Sequence, residues 1–170
     1  MVHPMKKKFT AIIFIAAGVI FLGVGGYLLL VNRVFPSGST VEYRNTQYGF
    51  SFSLPAGWRG YSIVTDQWQG YIYGQQGDEL AQQGPLISIR HPLWTTANPR
   101  QDIPVMVFIF AQWDSLQRNE FHIGAAPIGP SELGRNAQYV FALPARYNFA
   151  FSTGWEEVQK ILEDRSLRAF

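Results

Sequence analysis

The chain has 170 residues, 47% of them apolar and 15% charged, which excludes a disordered chain and, by length, two independent catalytic domains. Its lack of cysteine excludes a disulfide framework, a thiolate zinc site and a cysteine nucleophile. The formal charge is +2, but Lys6, Lys7, Lys8 and Arg33 all flank one apolar run; from Val41 onward ten basic residues face twelve acidic ones, a net −2 that excludes general nucleic-acid binding.

Phe9 to Val31 is 23 residues without a charge. As a helix rising about 1.5 Å per residue it reaches roughly 35 Å, enough to cross a hydrocarbon core. The run exceeds the h-region of about 7–15 residues in a cleaved signal peptide, and no A-x-A triplet follows it. The pattern therefore predicts a single transmembrane signal anchor at 9–31 behind a basic cytoplasmic segment at 1–8. Lys6, Lys7 and Lys8 precede the run and only Arg33 follows closely, so the N-terminus is expected in the cytoplasm and the C-terminal domain outside it, in a periplasm or on a cell surface. Ala11, Gly18 and Gly25 recur every seven residues and make a smooth stripe expected to pack against another membrane segment.

Residues 32–41 include Pro36, Ser37, Gly38 and Ser39 and read as a linker. The stretch Asn32 to Thr40 reaches at most about 30 Å, so the domain that follows, 42–170, is held near the bilayer. Phe50, Phe52 and Leu54 alternate with serines as in an amphipathic strand, which Pro55-Ala56-Gly57 ends in a turn, with Trp58 folding back over the strand end. Tyr61–Thr65 and Gln69–Gly74 are expected to form a hairpin, and the polar stretch Gly74–Gly84 (GQQGDELAQQG) a loop. Leu86–Arg90 is a further strand. Val105–Phe110 is apolar on both faces, the mark of a central strand covered on each side. Gln112–Asn119 predicts one or two helical turns and Asn136–Leu143 a last strong strand. Thr153-Gly154-Trp155-Glu156 fits an S/T-x-x-E capping box, with Trp155, Val158, Ile161 and Leu162 on one helical face behind it.

Strands with a terminal helix, lacking regular βαβ alternation, predict an α+β class: a mainly antiparallel sheet with flanking helices. Tyr48-Gly49-Phe50, Leu54-Pro55 and Gly57-Trp58, with the closing helix-then-strand of Trp155 to Phe170, resemble the opening and closing elements of PsbP-like domains, named for an extrinsic photosystem II subunit. The resemblance covers about the first and last fifteen residues of the domain and rests on core and turn positions. It implies a sheet with helices on its faces and an accessory or binding role, with no reaction attached. The segment between Asp114 and Pro130, with Gly124, Pro127, Gly129 and Pro130, departs from that pattern.

Chemistry is sparse. His91 and His122 are the domain's two histidines, and neither has a partner at metal-ligand spacing. His91, before Pro92, reads as a surface residue at a strand end. H-x-x-x-H, D-x-D-x-D-G, G-x-S-x-G and phosphate-loop patterns do not occur. Asp78-Glu79 and Glu156-Glu157 are adjacent pairs whose side chains diverge, so both are expected to be solvated. No catalytic, cofactor-binding or metal residue is therefore assigned, and no cofactor is expected. Trp68 and Trp94 lie in polar, turn-rich surroundings and are the expected exposed anchors for a partner or the membrane interface. The expected function is a non-catalytic accessory subunit or assembly factor of a membrane complex, its partners being the lipid bilayer and other subunits. The alternative is a stand-alone membrane-anchored module binding a small ligand or the cell envelope.

Overall fold

Period-two alternation must bury one strand face, and the alternating runs emerge as strands in a computed structural model that describes residues 40–74, 77–124 and 128–170. In chain order they are β1 (Val41–Asn45), β2 (Phe50–Leu54), β3 (Ser62–Gly74), β4 (Gly77–Arg90), β5 (Ile103–Ile109), β6 (Ser131–Arg135), β7 (Tyr139–Leu143) and β8 (Leu167–Ala169). Helix α1 (Phe110–Gln117) follows β5, α2 (Trp155–Glu163) precedes β8, and one tight 3₁₀ turn, Ala56–Trp58, follows β2. The strands form two antiparallel sheets, β1-β2-β8 and β3-β4-β5-β7-β6.

Alternation along the central strands divides the core in two. Ile87, Ile89, Val105, Val107 and Phe141 meet Phe50, Phe52, Leu54 and Trp58 of the smaller sheet and its turn, with Val158 and Ile161 of α2. On the opposite face Met106, Phe108, Val140 and Ala142 meet Trp68, Phe121 and the α1 residues Trp113 and Leu116. The apolar β5 run is thus covered on both sides, as its composition requires. Asn136 fastens the sheets together: its Nδ2 donates to the carbonyls of Tyr48, Gly49 and Phe170, while its Oδ1 accepts from Gln138 and Tyr139 N–H.

The expected α+β architecture is corrected. The described residues are mostly antiparallel β-sheet with two short helices, and a second sheet beside α2 covers the face assigned to helices. Among the described residues no helix is long and apolar enough to cross a membrane. The run Phe9–Val31, with Ala11, Gly18 and Gly25, and the basic residues Lys6, Lys7 and Lys8 lie outside the described residues.

The hairpin is also larger than expected. Ser62–Thr65 and Gln69–Gly74 belong to one strand, β3, which starts just after Tyr61, and its partner β4 takes in most of the polar Gly74–Gly84 stretch. Ladder hydrogen bonds come from the backbone and form whatever the side chains where both faces are wet, while Ile63↔Ile89 and Thr65↔Ile87 set the register from the buried end. At Trp68↔Gly84 the indole lies flat on its partner strand, where a Cβ on Gly84 would sit 2.6 Å from the ring, so only glycine fits.

At the C-terminal helix the capping box does not form. Gly154 is the N-cap, with φ +84° and no side-chain cap, and the Thr153 carbonyl accepts the Gln101 N–H instead. The helix therefore starts at Trp155, and Val158 and Ile161 are buried as its periodicity predicts.

Candidate functional site

Beyond Trp68 and Gly84 the β3–β4 hairpin continues as an arm, since β5 pairs with β4 only at Leu86–Ile89. The arm is braced at two points. Gln112, in the first turn of α1, accepts the Ile109 N–H through Oε1 and donates through Nε2 to Gln82 Oε1 and the Gln83 carbonyl. On the other edge Tyr71 and His122 exchange backbone hydrogen bonds of 2.8 Å each.

At the second brace lies a groove of about 630 Å³, lined by Tyr71, Tyr73, Leu116, Phe121, His122 and Ile128 among others. His122 stacks on Tyr73, with centroids 4.4 Å apart and planes at 20°. Its Nδ1 lies 3.1 Å from the Gly124 carbonyl and donates to it, turning Nε2 toward Asp78. That Nε2 is enclosed, has no hydrogen-bond partner, and stands 3.8 Å from Asp78 Oδ2. Tyr73 is 85% exposed, and Ile72, Leu80 and Ile128 are also open to solvent. At the rim, Glu120 is pulled down to about 2 by its hydrogen bonds from Arg118 and Ser115, so it is a permanent anion with no proton to donate at neutral pH. The groove offers an aromatic platform, one imidazole and fixed charge; it brings no nucleophile up to a base.

His91 occupies a different place. Contrary to its expected surface position it is 6% exposed, edge-on to Trp58 at 4.9 Å. Its Nδ1 accepts the Leu93 N–H at 3.1 Å, so in the neutral ring Nε2 carries the proton. Burial chiefly, and then the Arg100 cation, hold its pKa below the ordinary 6.5, with Glu157 pulling weakly the other way. Glu157 is half-buried, accepting Trp58 Nε1–H at 3.1 Å and lying 3.6 Å from Arg100 Nη2. It thus departs from the solvated state expected of Glu156-Glu157, whereas Asp78 and Glu79 are exposed. With its oxygens committed to Trp58 and Arg100, this cluster joins the turn after β2, the loop after β4 and α2; its role is structural.

The acid sensitivity of the fold follows. Below pH 6.5 the unfolded chain protonates at His91 while the folded one resists, so stability is complete above about 6.5 and falls as pH drops toward the folded pKa. The slope from this residue is at most about 1.4 kcal/mol per pH unit. His91→Asn, whose side-chain oxygen still accepts the Leu93 N–H, is expected to flatten that slope in urea denaturation at pH 5–7. An unchanged slope would assign the titration elsewhere.

Neither Trp68 nor Trp94 stands fully exposed. Trp68 is buried at 3%, stacked on Phe108 at 4.4 Å and donating Nε1–H to the Val107 carbonyl at 2.9 Å, so it offers no partner surface. Trp94 is half-buried under the Arg90 guanidinium, which lies 4.0 Å from the ring centroid and pairs with Asp102 at 2.8 Å. The exposed aromatic of the arm is instead Tyr73. Tyr71 and Tyr73 stand at period-two spacing in the expected strand Gln69–Gly74, but the polar residues of the expected loop hid the partner strand that builds the arm. Among the described residues no group of three or more histidine, aspartate or glutamate side chains could hold a metal ion. No family model, no curated protein and no solved structure matches the chain.

Proposed function

We propose that the chain is a membrane-anchored accessory subunit that acts by binding, its domain held on the extracytoplasmic side to stabilise or assemble a larger membrane complex. The apolar run Phe9–Val31 behind Lys6, Lys7 and Lys8 supports the anchor and its orientation. The arm carries the reading: a braced β-hairpin that presents Tyr73 at 85% exposure on the same face as Leu80, over a groove lined by His122. Exposed aromatic and large aliphatic side chains on a rigid element are what interface hot spots are made of.

The test is co-purification from the native membrane in mild detergent, read by native gel and mass spectrometry of the band. The wild type is expected in a large assembly of constant composition. Tyr73→Ser with Leu80→Ser is expected to reduce partner recovery at least about tenfold, the loss of one hot spot. Undiminished recovery would take the arm out of the interface, and migration as a lone small particle would overturn the subunit reading. The groove volume favours one second reading, a small flat ligand stacked on Tyr73 and His122, because about 630 Å³ lies within the usual range of ligand sites. A lone particle that still needs Tyr73 for ligand binding would establish it.

A further inference from the structure

Antiparallel pairing of Val41 with Leu54 puts the start of β1 beside the end of β2. Three loops gather at this pole, 55–61, 91–102 and 144–154, and side-chain and backbone contacts tie them together. Tyr61 Oη donates to the Glu42 carbonyl, Trp58 packs on His91, and Gln101 bonds both the Thr153 and Tyr147 carbonyls. On these loops Leu93, Phe149 and Phe151 are 66%, 74% and 65% exposed. Successive tight turns, Phe149 N–H to the Arg146 carbonyl and Phe151 N–H to the Asn148 carbonyl, hold the two phenylalanines outward. Arg146 and Phe151 have φ of +55° and +45°, a conformation that side-chain-bearing residues rarely adopt. Leu93 and Phe149 are thus mostly open to solvent, and Phe151 meets the Trp155 ring edge-on at 5.1 Å.

We propose that this pole docks on the bilayer surface, with Leu93, Phe149 and Phe151 inserted among the lipid headgroups and upper acyl chains. The proposal rests on the anchoring reading above and adds the face that meets the lipid. Two observations favour lipid over a protein partner. The chain outside the domain ends at this pole: residues 32–40 join the apolar run to β1, and nine residues reach at most about 30 Å. Charge points the same way. The three loops carry Arg59, Arg100, Arg146 and Asp102; Arg100 pairs with Glu157 and Asp102 with Arg90, which leaves the exposed cations Arg59 and Arg146 at this pole of a domain that sums to −2 from Val41. Exposed apolar side chains rimmed by arginine suit an anionic or zwitterionic interface, where such groups sit about 5–10 Å into the headgroup and acyl boundary.

Because the chain has no cysteine, single-cysteine variants of the full chain can be labelled at one site each. Leu93→Cys, Phe151→Cys and, on the arm, Tyr73→Cys would carry an environment-sensitive fluorophore, with the protein reconstituted in phosphatidylcholine–phosphatidylglycerol vesicles containing lipids spin-labelled high on the acyl chain. The labels at 93 and 151 are expected to lose about half or more of their emission to the spin-labelled lipid, with little loss at 73. Adding Leu93→Asp and Phe149→Asp to the Phe151→Cys chain should abolish the quenching there. Resistance of the chain to carbonate extraction is scored in parallel. A chain that resists extraction while its loop labels stay unquenched overturns docking alone; a chain that carbonate removes overturns the anchor and docking together. Loop labels shielded only in the native complex would assign the pole to a protein.

Discussion

Trp68→Ala is expected to destabilise the domain by about 3–5 kcal/mol, the usual cost of emptying a buried tryptophan site. The indole is the keystone of the second core face: it stacks on Phe108, lies parallel to Phe121 at 6.2 Å, and covers the glycine opposite it on β4. Its removal opens a cavity between the sheet and the Phe121 segment and leaves the Val107 carbonyl without its indole donor. With a urea m-value near 2 kcal/mol/M, the unfolding midpoint should fall by about 1.5–2.5 M. Trp68→Phe keeps a ring but not the N–H, and about 1–2 kcal/mol is expected. A loss below about 1 kcal/mol for alanine would mean that this face is not packed as described. Because Trp68 lies at the base of the arm, the same variant should loosen the Tyr73–His122 platform and weaken partner recovery without touching a partner-facing atom.

Trp58→Ala is expected to cost a similar amount, about 3–5 kcal/mol, by a different route. Trp58 is 1% exposed; it ends the 3₁₀ turn after β2, packs edge-on against His91, and hydrogen-bonds Glu157 at the start of α2. One side chain thus ties the small sheet, the loop after β4 and the last helix. Its loss admits water to His91, and since burial is the main cause of the depressed pKa, the His91 pKa should climb back toward 6.5. An NMR titration of the His91 ring reads this directly, and the acid sensitivity of the fold should shrink in step. A stability loss with an unmoved His91 pKa would show that another group shields the ring. Both tryptophan variants act on structure, whereas Tyr73→Ser with Leu80→Ser should leave stability nearly unchanged, which separates a binding defect from a folding defect.

Short-range patterns account for part of the fold. Phe50–Leu54 and Val105–Ile109 are strands because period-two or wholly apolar patterns pay off only in an extended chain with one or both faces covered, and Val158 and Ile161 are buried because the helical period aligns them. The misread positions depend on partners remote in sequence. Polar residues from Gly77 to Gln83 form a strand because β3 supplies their hydrogen bonds, and Ser131–Arg135 pairs with β7 without any strong pattern of its own. Trp68 is buried although its neighbours are polar, because only the ring side of the strand faces Met106 and Phe108. His91 is buried because the turn carrying Trp58 closes over it, and no capping box forms at Thr153 because the N-cap falls on Gly154, whose φ of +84° sets the helix start one residue later. The sequence by itself determined the absence of thiol chemistry, the acidic balance of the domain, the apolar run and the central strands, all properties of composition or of short periodicity. Only the tertiary structure decided the second sheet, the arm and which aromatic rings face outward, because exposure is set by what the rest of the chain brings against a residue.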